Sequence, residues 1–184
     1  MAEIVVVFHS GYGHTQRLAQ AVADGADARL IAIDADGNLP EGGWDELQAA
    51  DAIVFGAPTY MGGPSWQFKR FADASSKQWY VLGWKDKMFA GFTNSASPMG
   101  DKLSTLNYFF TLAMQHGGVW VGTGMMPSNA KASTRNDLNW LGVWSGAASV
   151  SPTDMSPADM HPGDLNMAFE FGKRVRQAAA RWTQ

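Results

Sequence analysis

The 184-residue sequence contains no cysteine. A disulfide framework, thiol catalysis and cysteine-ligated iron–sulfur clusters are therefore excluded, and the absence is compatible with a cytoplasmic protein. Long hydrophobic runs are missing too: no stretch approaches the ~20 apolar residues of a membrane span. Met1 leads straight into a strand-like run rather than a signal peptide. Charge of one sign is scarce. Fourteen Lys and Arg against 17 Asp and Glu leave a net charge of −3, and no basic stripe suggests nucleic acid as a partner. His9 and His161 stand in no metal-ligand spacing, so no metal site is expected.

Hydrophobic residues make up 46% of the chain, enough for one domain over 1–184 that buries roughly 70% of its unfolded surface. Eight Trp, ten Phe and four Tyr are many for this length. Most belong in a core, and the excess suits a flat ligand or a subunit interface.

Strand and helix signals alternate. "EIVVVF" (3–8), "ARLIAI" (28–33), "AIVFGAP" (52–58), "MFAGFT" (88–93) and "VWVGTG" (119–124) read as five strands. Helices are expected from Thr15 to about Gly25, over 44–51, from Gly63-Pro64 to about Ser75, and over 165–182. Another is expected from Ser97-Pro98 to Gly117-Gly118, with Leu103, Leu106, Phe110 and Ala113 on its buried face. Residues 125–163 look mostly irregular, and so long a loop in a compact domain is usually functional or interfacial. The alternation predicts an α/β fold, a doubly wound five-stranded parallel sheet with helices on both faces. Ligands of such sheets sit beyond the carboxyl ends of the strands.

The first of those ends is Ser10-Gly11-Tyr12-Gly13-His14-Thr15. It lacks the Gly-Lys-Ser/Thr of a triphosphate loop, and Gln16 stands where a dinucleotide fingerprint needs its third glycine. Asp34 and Asp36, after the second strand, therefore read as loop acids rather than ribose ligands. Two readings of the turn remain: a nest for one terminal phosphate, built from Ser10, Thr15 and backbone amides at a helix start, or a well-capped turn with no ligand. "APTYMGG" (57–63) and "TNSASPMG" (93–100) favour the first. They bring apolar walls, hydroxyls and an amide to neighbouring strand ends, as a flat heterocycle with polar edges requires.

"HSGYGHT", "GAPTYMGGPSWQFKRFAD", "WYVLGWKDKMFAGFTNSAS" and "MQHGGVWVG" resemble the flavodoxin-like fold family, specifically the FMN-dependent NAD(P)H:quinone oxidoreductases of the WrbA type. The likeness implies the strand order 2-1-3-4-5, FMN as cofactor and NADPH or NADH as donor. It implies a quinone or similar flat acceptor served in turn by a ping-pong cycle, and a homodimer or homotetramer. By the same resemblance Ser10, Tyr12, Gly13, His14 and Thr15 surround the phosphate. Pro58, Thr59, Tyr60, Met61 and Gly62 line the isoalloxazine, and Asn94, Ser95, Ala96 and Ser97 meet the ribityl chain and ring edge. His116 is placed near the flavin pyrimidine, Tyr60 and Met61 in the substrate walls, and Trp79 over a neighbouring subunit's site. The chain departs from the family pattern at Tyr60 (Arg there), at Gly63 (Asn there), at Ser97-Pro98-Met99-Gly100, and almost throughout after Gly124. The competing expectation is a flavodoxin-type electron carrier with FMN but no substrate turnover. A charge of −3 is weak for the steering such a carrier uses, and Lys131 and Arg135 are expected near the site, suited to NADPH phosphates. A flavin-free interaction module is opposed by the intact Ser10/Thr15 loop.

Overall fold

The computed structural model describes residues 2–183. β1 (Ile4–His9) is central, with β2 (Arg29–Ile33) on one side and β3 (Ala52–Tyr60) on the other, all parallel. β4 (Gly63–Pro64) folds back on the end of β3 as a short hairpin, and β5 (Met88–Ser95) continues the parallel sheet. The order β2-β1-β3-β5-β6 is the expected doubly wound one.

The alternation of buried residues along β1 assigns the two layers. Ile4, Val6 and Phe8 pack under α1 (His14–Ala26) and α6 (Pro162–Trp182). Val5 and Val7 face the opposite layer, formed by α2 (Gly43–Ala49), α3 (Trp66–Ala74) and α5 (Lys102–Gln115). α1 and α6 touch at their glycines: a Cβ on Gly25 would overlap the Phe169 carbonyl, and one on Gly172 the Val22 carbonyl. The other layer is a cluster of Phe55, Phe68, Phe71, Phe89, Phe109 and Trp84, each under 2% exposed. A short α4 (Ser76–Tyr80) leads away from it.

Besides the helix start expected at Gly63-Pro64, which pairs with Thr59 and Tyr60 as β4 and leaves the helix to begin at Trp66, three expectations are corrected. The fifth strand is not continuous over 119–124. β6 (Val119–Trp120) pairs only with Met88 and Phe89, and the chain then leaves the sheet. It returns as β7 (Ala147–Val150), which pairs with Phe92–Ser95 and completes the same strand position. Second, α5 starts at Lys102 and not at Ser97-Pro98, because β5 runs on to Ser95 and the chain must turn over the sheet edge before a helix can pack back. Third, its buried stripe carries Phe109, while Leu103 and Phe110 are exposed. Tyr108-Phe109-Phe110 allows two registers by periodicity. The contact of Phe109 with Phe68, ring centroids 4.6 Å apart, selects one. Among the described residues no helix is long and apolar enough to cross a membrane.

Candidate functional site

The carboxyl ends of β1, β3, β5 and β7 open onto a cleft of about 420 Å³. On the β1 side, Gly13 at φ 89° is the N-cap of α1, a conformation that favours glycine. Ser10 Oγ accepts from the amides of Gly13 and Gln16, both at 3.1 Å. Its hydroxyl proton is left for another acceptor. His14 and Thr15 begin the helix and line the cleft. The first amides of a helix have no carbonyl one turn back, so this end offers N–H donors and positive potential. The ring of Pro157 packs against Gly13. His14 Nε2–H donates to the Met155 carbonyl at 2.7 Å, tying the β1–α1 loop to the segment after β7.

On the β3 side Pro58, Thr59 and Tyr60 line the cleft. The Thr59 hydroxyl is engaged. Thr93 Oγ1 donates to the Ala57 carbonyl at 2.7 Å, so it accepts from Thr59 Oγ1 at 2.8 Å, which in turn accepts from Thr105 Oγ1 at 2.8 Å. Thr59 therefore presents backbone and methyl to a ligand. Tyr60 meets Tyr12 edge-on with ring centroids 6.5 Å apart. Burial, with the Tyr12 phenol beside it, raises the Tyr60 pKa, so the phenol is neutral at physiological pH. Met61 (φ 48°) and Gly62 (φ 78°) form the exposed turn at the rim.

On the β5 side Asn94, Ser95 and Ala96 line the cleft. Asn94 Oδ1 accepts from Ser149 Oγ at 2.8 Å and Ser151 Oγ at 3.0 Å. That fixes the amide orientation and leaves the Nδ2 donors. Ser151 and Thr153 close the wall. Ser149, Ser151 and Thr153 were beyond sequence reasoning, which singled out the long 125–163 segment and, within it, only Lys131 and Arg135 as near the site.

Most of the expected site residues thus gather: Tyr12, His14, Thr15, Pro58, Thr59, Tyr60, Asn94, Ser95 and Ala96 line the cleft. Ser10, Gly13, Met61, Gly62 and Ser97 shape the loops around it. His116 and Trp79 lie elsewhere. α5 runs antiparallel to β5, so His116 at its far end is ~20 Å of helix from the cleft. His116 Nε2–H donates to Ser75 Oγ at 2.9 Å, and Ser75 donates to the Ala72 carbonyl at 2.7 Å. The imidazole packs on Trp84 with centroids 4.5 Å apart, and burial pushes its pKa down to about 4. Trp79 is half-exposed on α4, beside a separate depression that includes His116. Arg135 is not free for a phosphate, since Asp164 holds it in an ion pair at 2.7 Å; Lys131 is exposed. Asp34 Oδ1 accepts from the amides of Asp36 and Asn38 and is consumed by its own turn.

Residues 6–113 match the model of the flavodoxin family. The chain is 57% identical over 154 residues to flavodoxin FldP of Pseudomonas aeruginosa (strain UCBPP-PA14), covering 84% of each. It is 32% identical over 159 residues to an NAD(P)H dehydrogenase (quinone) of Syntrophus aciditrophicus (strain SB), covering 73% of this chain and 77% of that one. The crystal structure of a WrbA-like flavodoxin from Agrobacterium tumefaciens superposes with a TM-score of 0.81 at 52% identity, over 98% of this chain and 99% of the other. Fold and these likenesses agree: the chain belongs to the flavodoxin family.

Proposed function

We propose that the cleft binds FMN and that the protein is an FMN-dependent oxidoreductase, moving two electrons from NADPH or NADH to a quinone or similar flat acceptor. The carrying observation is the convergence at one opening of the α1 N-terminus with Thr15, the Asn94 Nδ2 donors and the Tyr60 ring, beside a loop whose Ser10 hydroxyl keeps a proton to donate. The residues fit the group. A cleft of about 420 Å³ lies in the range of cofactor sites, and the donors at α1 match a phosphate dianion without a lysine.

When bound, FMN supplies hydride acceptance and two-electron delivery. The chain's part is to bind, orient and tune. Ser10, Thr15 and the first amides of α1 hold the phosphate. Asn94, locked by two serines, donates to a carbonyl or hydroxyl of the ligand. Tyr60, neutral and half-exposed, offers a flat wall, and exposed Tyr12 and Met61 leave the rim open to a second flat molecule. In this reading Trp79 acts from another copy of the chain.

A second reading is an electron carrier without its own turnover. It is favoured by the relative named flavodoxin at 57% identity, and by the distance of His116 and Trp79 from the cleft of their own chain. Anaerobic stopped-flow mixing of the FMN-loaded protein with NADPH and with NADH separates the two. Flavin bleaching at a rate that saturates with donor is expected for the oxidoreductase. No bleaching with either donor leaves the carrier.

A further inference from the structure

Lys102 is buried where a cation is costly. It opens α5, is 4% exposed, and shares its end of the helix with the positive pole of the helix dipole. Its Nζ donates to the carbonyls of Ser97 at 2.5 Å and Pro98 at 3.1 Å. The Ser97 carbonyl also accepts from Ser95 Oγ at 3.1 Å. Gly100 permits this closure, because a Cβ there would overlap Ser95 Oγ. Ser95 and Ala96, in the same loop, form the cleft wall. Lys102 therefore grips the back of the loop whose front faces the cleft.

The carboxylate that acts on its charge, Asp164, does not cancel it. Asp164 is held by Arg135 at 2.7 and 3.4 Å and accepts from the Val150 amide at 2.9 Å. Arg135 also donates to the Val150 carbonyl at 2.7 Å. Lys102, Asp164 and Arg135 together carry one net positive charge behind the ends of β5 and β7, in a chain whose net charge is −3. This is a local field of the sign that an electron-rich ligand edge needs.

We propose that Lys102 is a positioning residue for the flavin site: it fixes the β5–α5 loop and places a positive potential behind the wall formed by Ser95 and Ala96. The inference rests on the FMN reading above. Burial pushes the lysine pKa down to about 8, with Asp164 acting upward and Arg135 downward, so the charge titrates within a range where affinity is measurable.

The test is fluorescence titration of FMN into apoprotein at pH 7 and pH 9, for the wild type, Lys102→Met and Lys102→Arg. In the wild type, Kd rises about fivefold between the two pH values, the result of a ligand that raises the lysine pKa by one unit. Lys102→Met binds about tenfold more weakly than wild type at pH 7 and shows no slope. Lys102→Arg, charged throughout, recovers part of the affinity and is also flat. A merely structural lysine would lower affinity with no pH signature. A wild type that binds FMN with no slope, or a Lys102→Met variant with wild-type affinity or slope, overturns the proposal. If Lys102→Met does not fold, the wild-type and Lys102→Arg profiles decide alone. A wild type that binds no FMN at either pH overturns the FMN reading, and this inference with it.

Discussion

Ser10 uses its lone pairs within the protein and has a hydroxyl proton left to donate. That division lets one serine cap α1 and serve a ligand, so the two readings of the turn are compatible. Replacing Ser10 by Ala together with Thr15 by Val removes two charge-assisted donors. We expect FMN affinity to fall by at least ~2 kcal/mol, about 30-fold, in a fluorescence titration; unchanged affinity would locate the phosphate elsewhere. His116 illustrates the opposite case, a group whose chemistry is stability. Its folded pKa of about 4 lies below the ordinary histidine value of 6.5, so the unfolded chain binds the extra proton first. Stability is fully present above pH 6.5 and is lost as pH falls towards 4, by up to ~3 kcal/mol. Urea unfolding at pH 7 and pH 4.5 measures the loss. A His116→Asn variant, weaker at pH 7, should show a smaller loss between the two pH values, the remainder coming from His9, which burial shifts in the same direction.

Between elements, the split fifth strand matters most. β7 is held by its ladder to β5 and by the Arg135–Asp164 pair, which engages both the amide and the carbonyl of Val150. Ser149 of the same strand and Ser151 just after it set the amide of Asn94. Arg135→Ala leaves a 4%-exposed carboxylate without its guanidinium. A loss of about 3 kcal/mol in denaturant unfolding is expected, with weaker FMN binding because Asn94 loses its support. The α1–α6 contact is equally intolerant of volume. Gly172→Ala pushes a methyl into the Val22 carbonyl, and a cost of about 1–3 kcal/mol is expected from the same measurement. Neither contact was visible in advance. Gly25 and Gly172 look like weak points in helix patterns until the two helices are seen to cross there.

For the molecule as a whole, surface character bears on how it works. Trp79, Tyr80, Val81 and Leu82 form a run of exposed apolar residues at the end of α4, and such patches mark interaction surfaces. We expect the protein to self-associate through this run. Tyr80→Asp with Leu82→Asp should then shift sedimentation velocity to the monomer. A wild type that is monomeric across the concentration range would leave Trp79 without a second site to cover. The excess of aromatic residues is divided accordingly. The Phe cluster and Trp84 fill the core, while Trp66, Trp79, Trp140, Trp144 and Trp182 each remain at least 42% exposed.

Local signals carried much of this protein. Apolar runs bounded by turns marked the strands. The missing lysine and the Gln16 substitution narrowed the ligand of the first loop, and hydroxyl-rich strand ends marked the cleft. Each is a pattern within a dozen residues, where covalent geometry and side-chain period act directly. The fold alone decided the rest. Whether Phe109 or Phe110 is buried depended on which ring met Phe68. The place of His116 followed from the direction of α5. The serines that orient Asn94 stand 55 and 57 residues away in sequence. Partners so distant are chosen by packing and by the pairing of buried polar groups, and neither has a period that a one-dimensional reading can follow.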